Sequence, residues 1–139
     1  MKKKIALSGA FVISLLPMLL NQYGGMRGVQ EITGLLNLCN PIGIISVILF
    51  IVGVWVPFRE KNIGKILGVF GTTGIVAAEI YEFLTWHVMT ITGEVSLRHS
   101  FNLAFPEFYL GLIVSLAMVA AYFVIDQRTD TSPDGKQAG

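Results

Sequence analysis

The fold class predicted is an all-α membrane protein, a bundle of four transmembrane helices, and three observations predict it. Four stretches almost free of charge, at 5–20, 41–58, 66–78 (running on past Glu79) and 108–125, each approach the roughly 20 apolar residues a helix needs to cross about 30 Å of hydrocarbon. Composition agrees: 53% of the 139 residues are hydrophobic and 14% are charged, with a mean hydropathy of +0.67, too apolar for an ordinary soluble domain of this length. The third observation is the order of the basic residues. Lys2, Lys3 and Lys4 precede the first span, Arg59, Lys61 and Lys65 lie between the second and third, and Arg128 and Lys136 follow the fourth. Only Arg27 and Arg98 fall in the other two connections, so the bias is eight against two. Cytoplasmic loops retain Lys and Arg, which places the N-terminus and C-terminus in the cytoplasm of a bacterial-type plasma membrane. An even number of crossings requires the same.

The elements follow in order, within one transmembrane domain over 1–125 with spans at about 5–22, 41–58, 63–84 and 106–125. The Lys-rich start and apolar centre of the first span also fit a secretory signal, but no small-x-small cleavage pattern follows, so a retained helix is expected. Pro17 near its outer end makes a kink that neighbouring helices can tolerate. Gly24, Gly25, Gly28 and Gly34 then suggest a flexible turn around Arg27 and Glu31, followed by a short amphipathic piece over 29–38 at the outer surface. Cys39 is the only cysteine, so an intrachain disulfide is excluded and a buried or interfacial free thiol is expected.

Asn40 and Pro41 read as a helix start, with the Asn side chain accepting from an early N–H and proline at the first position. Trp55, Phe58 and Arg59 mark the inner interface. Asn62 is expected to cap the third helix after a link so short that spans two and three must be antiparallel neighbours. That third helix carries Gly64, Gly68, Gly71, Gly74 and Ala78 at intervals of three or four. Small residues in such a stripe let backbones approach closely in lipid, where no hydrophobic drive gathers helices. Intrachain packing is the plainer use of the stripe; a homo-oligomer or a membrane protein partner is the other. The loop at 85–106 reads either as a β-hairpin of 88–92 and 95–97 around Gly93 and Glu94, or as an extension of the third helix past Trp86. Alternating charges with Pro133 and Gly135 predict a disordered cytoplasmic tail over 126–139.

Five of the nine acidic residues, Glu31, Glu79, Glu82, Glu94 and Glu107, fall in the outer half with both histidines, His87 and His99. Glu79 lies about 14 residues up a helix that needs roughly 20 to leave the hydrocarbon, so an ionised carboxylate there must face the interior or water, find a partner or keep its proton. Glu82 follows on the same face. Together with His87 they are the candidates for a proton or cation site. Their structural alternative is a hydrogen bond or ion pair to Arg98, Tyr81 or Tyr109. Glu107 after Pro106 complements the positive end of the fourth helix dipole, and Arg98, His99 and Glu107 are candidates for contact at the outer surface. No metal is expected, because no Glu-x-x-His, His-x-x-x-His or paired-Cys spacing occurs. No cofactor is expected, no strand precedes the glycine run as a phosphate loop requires, and no basic patch suggests nucleic acid. The functional expectation is a non-enzymatic interaction or accessory module embedded in the lipid bilayer, working through helix packing and its outer loops. The alternative is an ion or proton-coupled channel or transporter component using the intramembrane carboxylate.

Overall fold

Prolines decide where the first two apolar segments stop being helical. Lys2–Leu15 forms α1, but Pro17 lacks the N–H an α-helix needs, and the chain tightens into a 3-10 turn at Leu16–Leu19 before turning extended at Leu20. Pro41–Trp55 forms a third apolar helix, which ends because Val56 precedes Pro57 and is held extended at φ −75°, ψ 129°. The computed structural model describes residues 1–24, 31–88 and 92–130. Among them the chain is mostly helical, with α1, then α2 (Leu35–Cys39), α3 (Pro41–Trp55), α4 (Lys61–Thr85), α5 (Leu97–Leu103) and α6 (Pro106–Asp130).

Two of these helices are long and apolar enough to cross a membrane, over Asn62–Thr85 (24 residues) and Pro106–Gln127 (22 residues). The segments expected at 5–22 and 41–58 are helical over shorter lengths. At 1.5 Å per residue α3 covers about 22 Å, and α1 with its 3-10 turn about 29 Å.

Asn40 caps α3 as its sequence suggests, its side chain accepting from the Ile42 N–H at 2.8 Å. At the start of α4 the capping position belongs to Glu60 and not Asn62, and it makes no side-chain cap bond. The helix can begin earlier than expected because Lys61 is already a good helix former.

α3 and α4 make the closest pairing in the molecule, antiparallel across their short link. A Cβ on Gly53 would stand 2.5 Å from the Gly68 nitrogen and 2.6 Å from the Gly64 oxygen, so the two backbones touch. Gly71 lies against the Phe50 backbone and Gly74 against Ser46 in the same way, whereas Gly68 also receives the Tyr122 ring from α6. Ala78, 1% exposed, continues the stripe.

At one end of the molecule the N-terminus of α1, the start of α4 and the close of α6 meet, because Lys3 and Lys65 both bond Asp126. This is the lysine end. At the opposite, cap end the segment expected to be a flexible turn carries a short antiparallel ladder of β1 (Asn21–Tyr23) and β2 (Ile32–Thr33). β1 is also stitched to the approach to α6, through Gly24 N–H to Leu103 O at 2.9 Å and Phe105 N–H to Gln22 O at 2.8 Å. Of the amphipathic piece expected over 29–38, residues 29 and 30 lie outside the described residues and the rest carries β2 and most of α2; Cys39 at the end of α2 is exposed.

Among the described residues past Thr85, Trp86 N–H donates to Glu82 O, Thr92 N–H to His87 O and Gly93 N–H to Val88 O. Gly93 has a φ of 70°, which suits glycine. α4 itself closes at Thr85, and Leu97, proposed for a strand, begins α5 because Ser96 is an extended N-cap ahead of it. Residues 89–91 of the hairpin, Arg27 and its neighbours, and the tail over 131–139 lie outside the described residues. α6 itself runs to Asp130, so the first residues assigned to the tail continue the helix.

Two apolar clusters fill the bundle. Leu7, Phe11, Met18, Phe50, Val54, Ile75, Met118 and Tyr122 form one toward the lysine end. Tyr23, Phe83, Trp86, Leu103 and Phe108 form the other beneath the cap. The layer between them is polar.

Candidate functional site

The polar layer follows from a four-residue rhythm on α4. Ile75 belongs to the lower apolar cluster and Phe83 to the upper one, and Glu79 lies midway on the same helical face. On α6, Ser115 and Gly111 take the matching level between Met118 and Phe108. A Cβ on Gly111 would be 2.9 Å from Gln22 Nε2 and 3.3 Å from Glu79 Oε1, so glycine at that position leaves the amide and the carboxylate room to face each other.

Glu79 is 0% exposed, and among the described residues neither of its carboxylate oxygens has a hydrogen-bond partner. The Ser115 hydroxyl is near enough to act on the carboxylate, yet it too stands outside hydrogen-bonding geometry. Buried polar groups are nearly always paired, and a buried ionised carboxylate without a partner is destabilising by several kcal/mol. The arrangement therefore suits a group that accepts a proton or cation.

The rest of the layer is well bonded. Glu82, one turn further along α4, accepts from Asn40 Nδ2 at 2.5 Å, while Asn40 Oδ1 caps α3. Tyr23 donates to Asn37 Oδ1 at 2.9 Å, Asn37 Nδ2 donates to Gln22 Oε1 at 2.9 Å, and Gln22 Nε2 donates to Pro17 O at 3.2 Å. Tyr23, Gln22 and Asn37 are each 0% exposed. Burial first, and then the nearby Glu79 and Glu82 carboxylates, hold the Tyr23 phenol far above its usual range, so it remains a donor. The two-stranded sheet thus delivers Gln22 and Tyr23 to this polar layer, here called the chamber, α2 delivers Asn37, α3 Asn40, α4 both glutamates and α6 Ser115.

His87 is part of a separate site. Its Nδ1 is 2.7 Å from Thr92 Oγ1 and its Nε2 3.0 Å from Ser100 Oγ, and the residue is 0% exposed. Ser100 Oγ also reaches Ser96 O, and Thr92 Oγ1 reaches Glu94 O. Burial lowers the His87 pKa, and His99, with its ring centroid 6.1 Å away, lowers it further. A neutral imidazole that orders the α4 to α5 connection is the result. His99 itself faces Glu94 at 3.9 Å, and Arg98 is exposed on α5.

Glu107 sits in the first turn of α6 and lines an open cavity of about 480 Å³ with Leu20, Asn21, Glu31, Phe105 and Pro106. Asn21 Nδ2 donates to Glu31 there. The structure thus puts Glu79 and Glu82 in one layer and sets apart from them the histidine that the sequence groups with them. Gln22, Tyr23 and Asn37 are chamber residues that sequence reasoning missed. A signal existed for Asn37: it is a lone amide in the apolar run 35–39, where an unpaired polar group would be costly.

A third buried carboxylate, Asp126, accepts from Lys3 at 2.5 Å and Lys65 at 2.8 Å. Among the described residues, no three His, Cys, Asp or Glu side chains converge as metal ligands. No family model matches the sequence, and no curated protein or solved structure matches it.

Proposed function

We propose that this chain is a multi-pass protein of the plasma membrane, with four crossings and both termini cytoplasmic, that takes up a proton or small monovalent cation at Glu79 as part of an ion or proton-coupled channel or transporter. The crossings are α1 with its 3-10 turn, α3, α4 and α6. An inverted distribution of polarity supports the membrane setting: Ile45, Phe70 and Ile113 are 55%, 63% and 64% exposed, while Glu79, Gln22 and Asn37 are fully enclosed. Apolar side chains outside and polar ones inside are what lipid as solvent selects. Lysines at one end and acids at the other give the orientation.

One observation carries the functional reading, the enclosed Glu79 carboxylate with two unpartnered oxygens. The test is Glu79→Gln in liposomes, with proton and alkali-cation flux measured beside particle size. Flux in the unaltered protein that disappears in the variant at unchanged particle size supports conduction; absence of flux in both removes it.

A second reading, the accessory module, is favoured by the uncovered apolar face of α6, where Leu110, Ile113 and Leu116 are all exposed. The glycine stripe of α4 is occupied by α3 and Tyr122, so a partner would engage α6 in its place. Ile113→Ser with unchanged assembly and unchanged co-purifying proteins counts against it.

A further inference from the structure

We infer that the lysine end holds a binding site for a phosphate-bearing anion, of the chemistry found on an anionic phospholipid headgroup. A cavity of about 390 Å³ opens there between α1, the α3 to α4 link and α6. Three ammonium groups line it, Lys3, Lys4 and Lys65, against one carboxylate, Asp126. Asp126 bonds Lys3 and Lys65, and it offsets one positive charge of the three. Lys4 is held separately, its Nζ 3.3 Å from the Trp55 carbonyl and 5.8 Å from the Trp55 ring centroid. Among the described lining residues the excess is two positive charges.

The rest of the lining explains the kind of anion. Leu7, Val54, Val56, Pro57 and Phe58 line the same cavity, so its lining combines cations with hydrocarbon. An amphiphile with a phosphate and the beginning of an acyl chain matches both, and the volume is in the usual range for a small-molecule site. Basic pockets between membrane helices on the cytoplasmic side bind such headgroups by this combination. The first turn of α4, which has no side-chain cap at Glu60, adds the positive end of a helix dipole through Asn62 and Gly64 at the cavity edge. The cavity at the opposite end is lined by two carboxylates, Glu31 and Glu107.

Trp55 serves as the reporter. In a Trp86→Phe background, which leaves Trp55 as the single tryptophan, the full chain in detergent micelles is titrated with phosphatidylglycerol or phosphatidylcholine bearing brominated chains. Half-quenching by phosphatidylglycerol is expected at a mole fraction about 25-fold lower, since each of the two uncompensated lysine charges favours an anionic lipid by about fivefold. Lys4→Gln should reduce the preference, and Lys3→Gln with Lys4→Gln should abolish it, Lys65 remaining to hold Asp126. Equal quenching by the two lipids, or a preference unchanged in the double variant, overturns the site. Native mass spectrometry of the unaltered chain, counting retained phosphatidylglycerol against phosphatidylcholine, tests the same preference without the Trp86 change: excess phosphatidylglycerol supports the site, and equal retention overturns it.

Free sn-glycerol 3-phosphate separates the sources of the anion. Release of quenching by it assigns the site to soluble phosphates as well, and no release restricts it to lipid. The lipid source rests on the bilayer setting, whereas Glu79 plays no part. A lost lipid preference with Glu79-dependent flux intact therefore sinks this site alone, and lost flux with the preference intact sinks only the conduction reading.

Discussion

Asp126 and Glu79 are both carboxylates enclosed by helices, and the fold treats them in opposite ways. Asp126, whose side chain is 8% exposed, has Lys3 on one oxygen and Lys65 on the other. Those bonds join the first, fourth and last helices at one point, which is a structural use of a charge. Glu79 is more deeply buried, yet its oxygens meet no donor and its nearest hydroxyl, on Ser115, is equally unbonded. A fold that can supply two lysines to one acid could have supplied a single amide to the other, and Asn40 does so for Glu82 one turn away. Burial alone therefore does not distinguish a structural carboxylate from a functional one; we propose that the state of its partners does.

Exchanging each acid for its amide sharpens the contrast most. Asp126→Asn should lower stability by about 1–3 kcal/mol, because two lysines lose a charged acceptor, discounted for their partial exposure. Liposome flux per folded molecule should be unchanged. Glu79→Gln should do the reverse, with flux falling at least about tenfold and thermal stability unchanged or raised, since an uncompensated buried charge is removed. Unfolding midpoints in detergent and flux assays on the same preparations decide it; a Glu79→Gln protein destabilised as much as Asp126→Asn would make Glu79 structural.

Gly111→Ala tests whether the space beside Glu79 is required. The added methyl would stand 2.9 Å from Gln22 Nε2 and 3.3 Å from Glu79 Oε1. Gln22 must then move and loosen its bond to the Pro17 carbonyl. We expect a loss of about 1 kcal/mol and a flux reduction smaller than that of Glu79→Gln. Unaltered flux would mean that the ion does not pass between Gln22 and Glu79.

The two ends should also differ in their response to acid. The folded state lowers the His87 pKa below its unfolded value, so the unfolded chain binds the proton better. Stability is then fully present above the ordinary histidine pKa of about 6.5 and is lost as the pH falls beneath it. Thermal midpoints measured downward from pH 7.5 should decline below about pH 6.5, and His87→Gln should flatten that decline. The same curve in both proteins would detach His87 from the acid sensitivity of the cap.

How much of this could be read from the chain alone depends on the distance over which the determining interactions act. The Asn40–Pro41 start, the antiparallel pairing of α3 with α4 and the position of Glu79 at a buried level of α4 follow from neighbours in sequence. The early ends of α1 and α3 were equally local, in Pro17 and Pro57, but the apolar runs continue across both prolines and conceal them. The ladder of β1 and β2 was hidden for another reason. It depends on Tyr23 packing beneath residues eighty positions away, at Leu103 and Ala104, and so do the places of Gln22 and Asn37 beside Glu79. Asp126 looked like the first residue of a disordered tail until Lys3 and Lys65 were brought to it.

The smallest effects come from two serines at the ends of the same comparison. Ser100 Oγ bonds His87 Nε2 at 3.0 Å, so Ser100→Ala should cost about 1 kcal/mol by leaving a buried ring nitrogen without its partner. Ser115 Oγ bonds nothing, and Ser115→Ala should change stability by less than about 0.5 kcal/mol. The difference measures occupancy of the chamber, because a hydroxyl that bridges Glu79 through a bound ion or water has a partner to lose. If Ser115→Ala proves as destabilising as Ser100→Ala in sodium-free buffer at neutral pH, water or a proton already bridges the pair. If the penalty develops only when an alkali cation is added, the cation is the missing partner of Glu79.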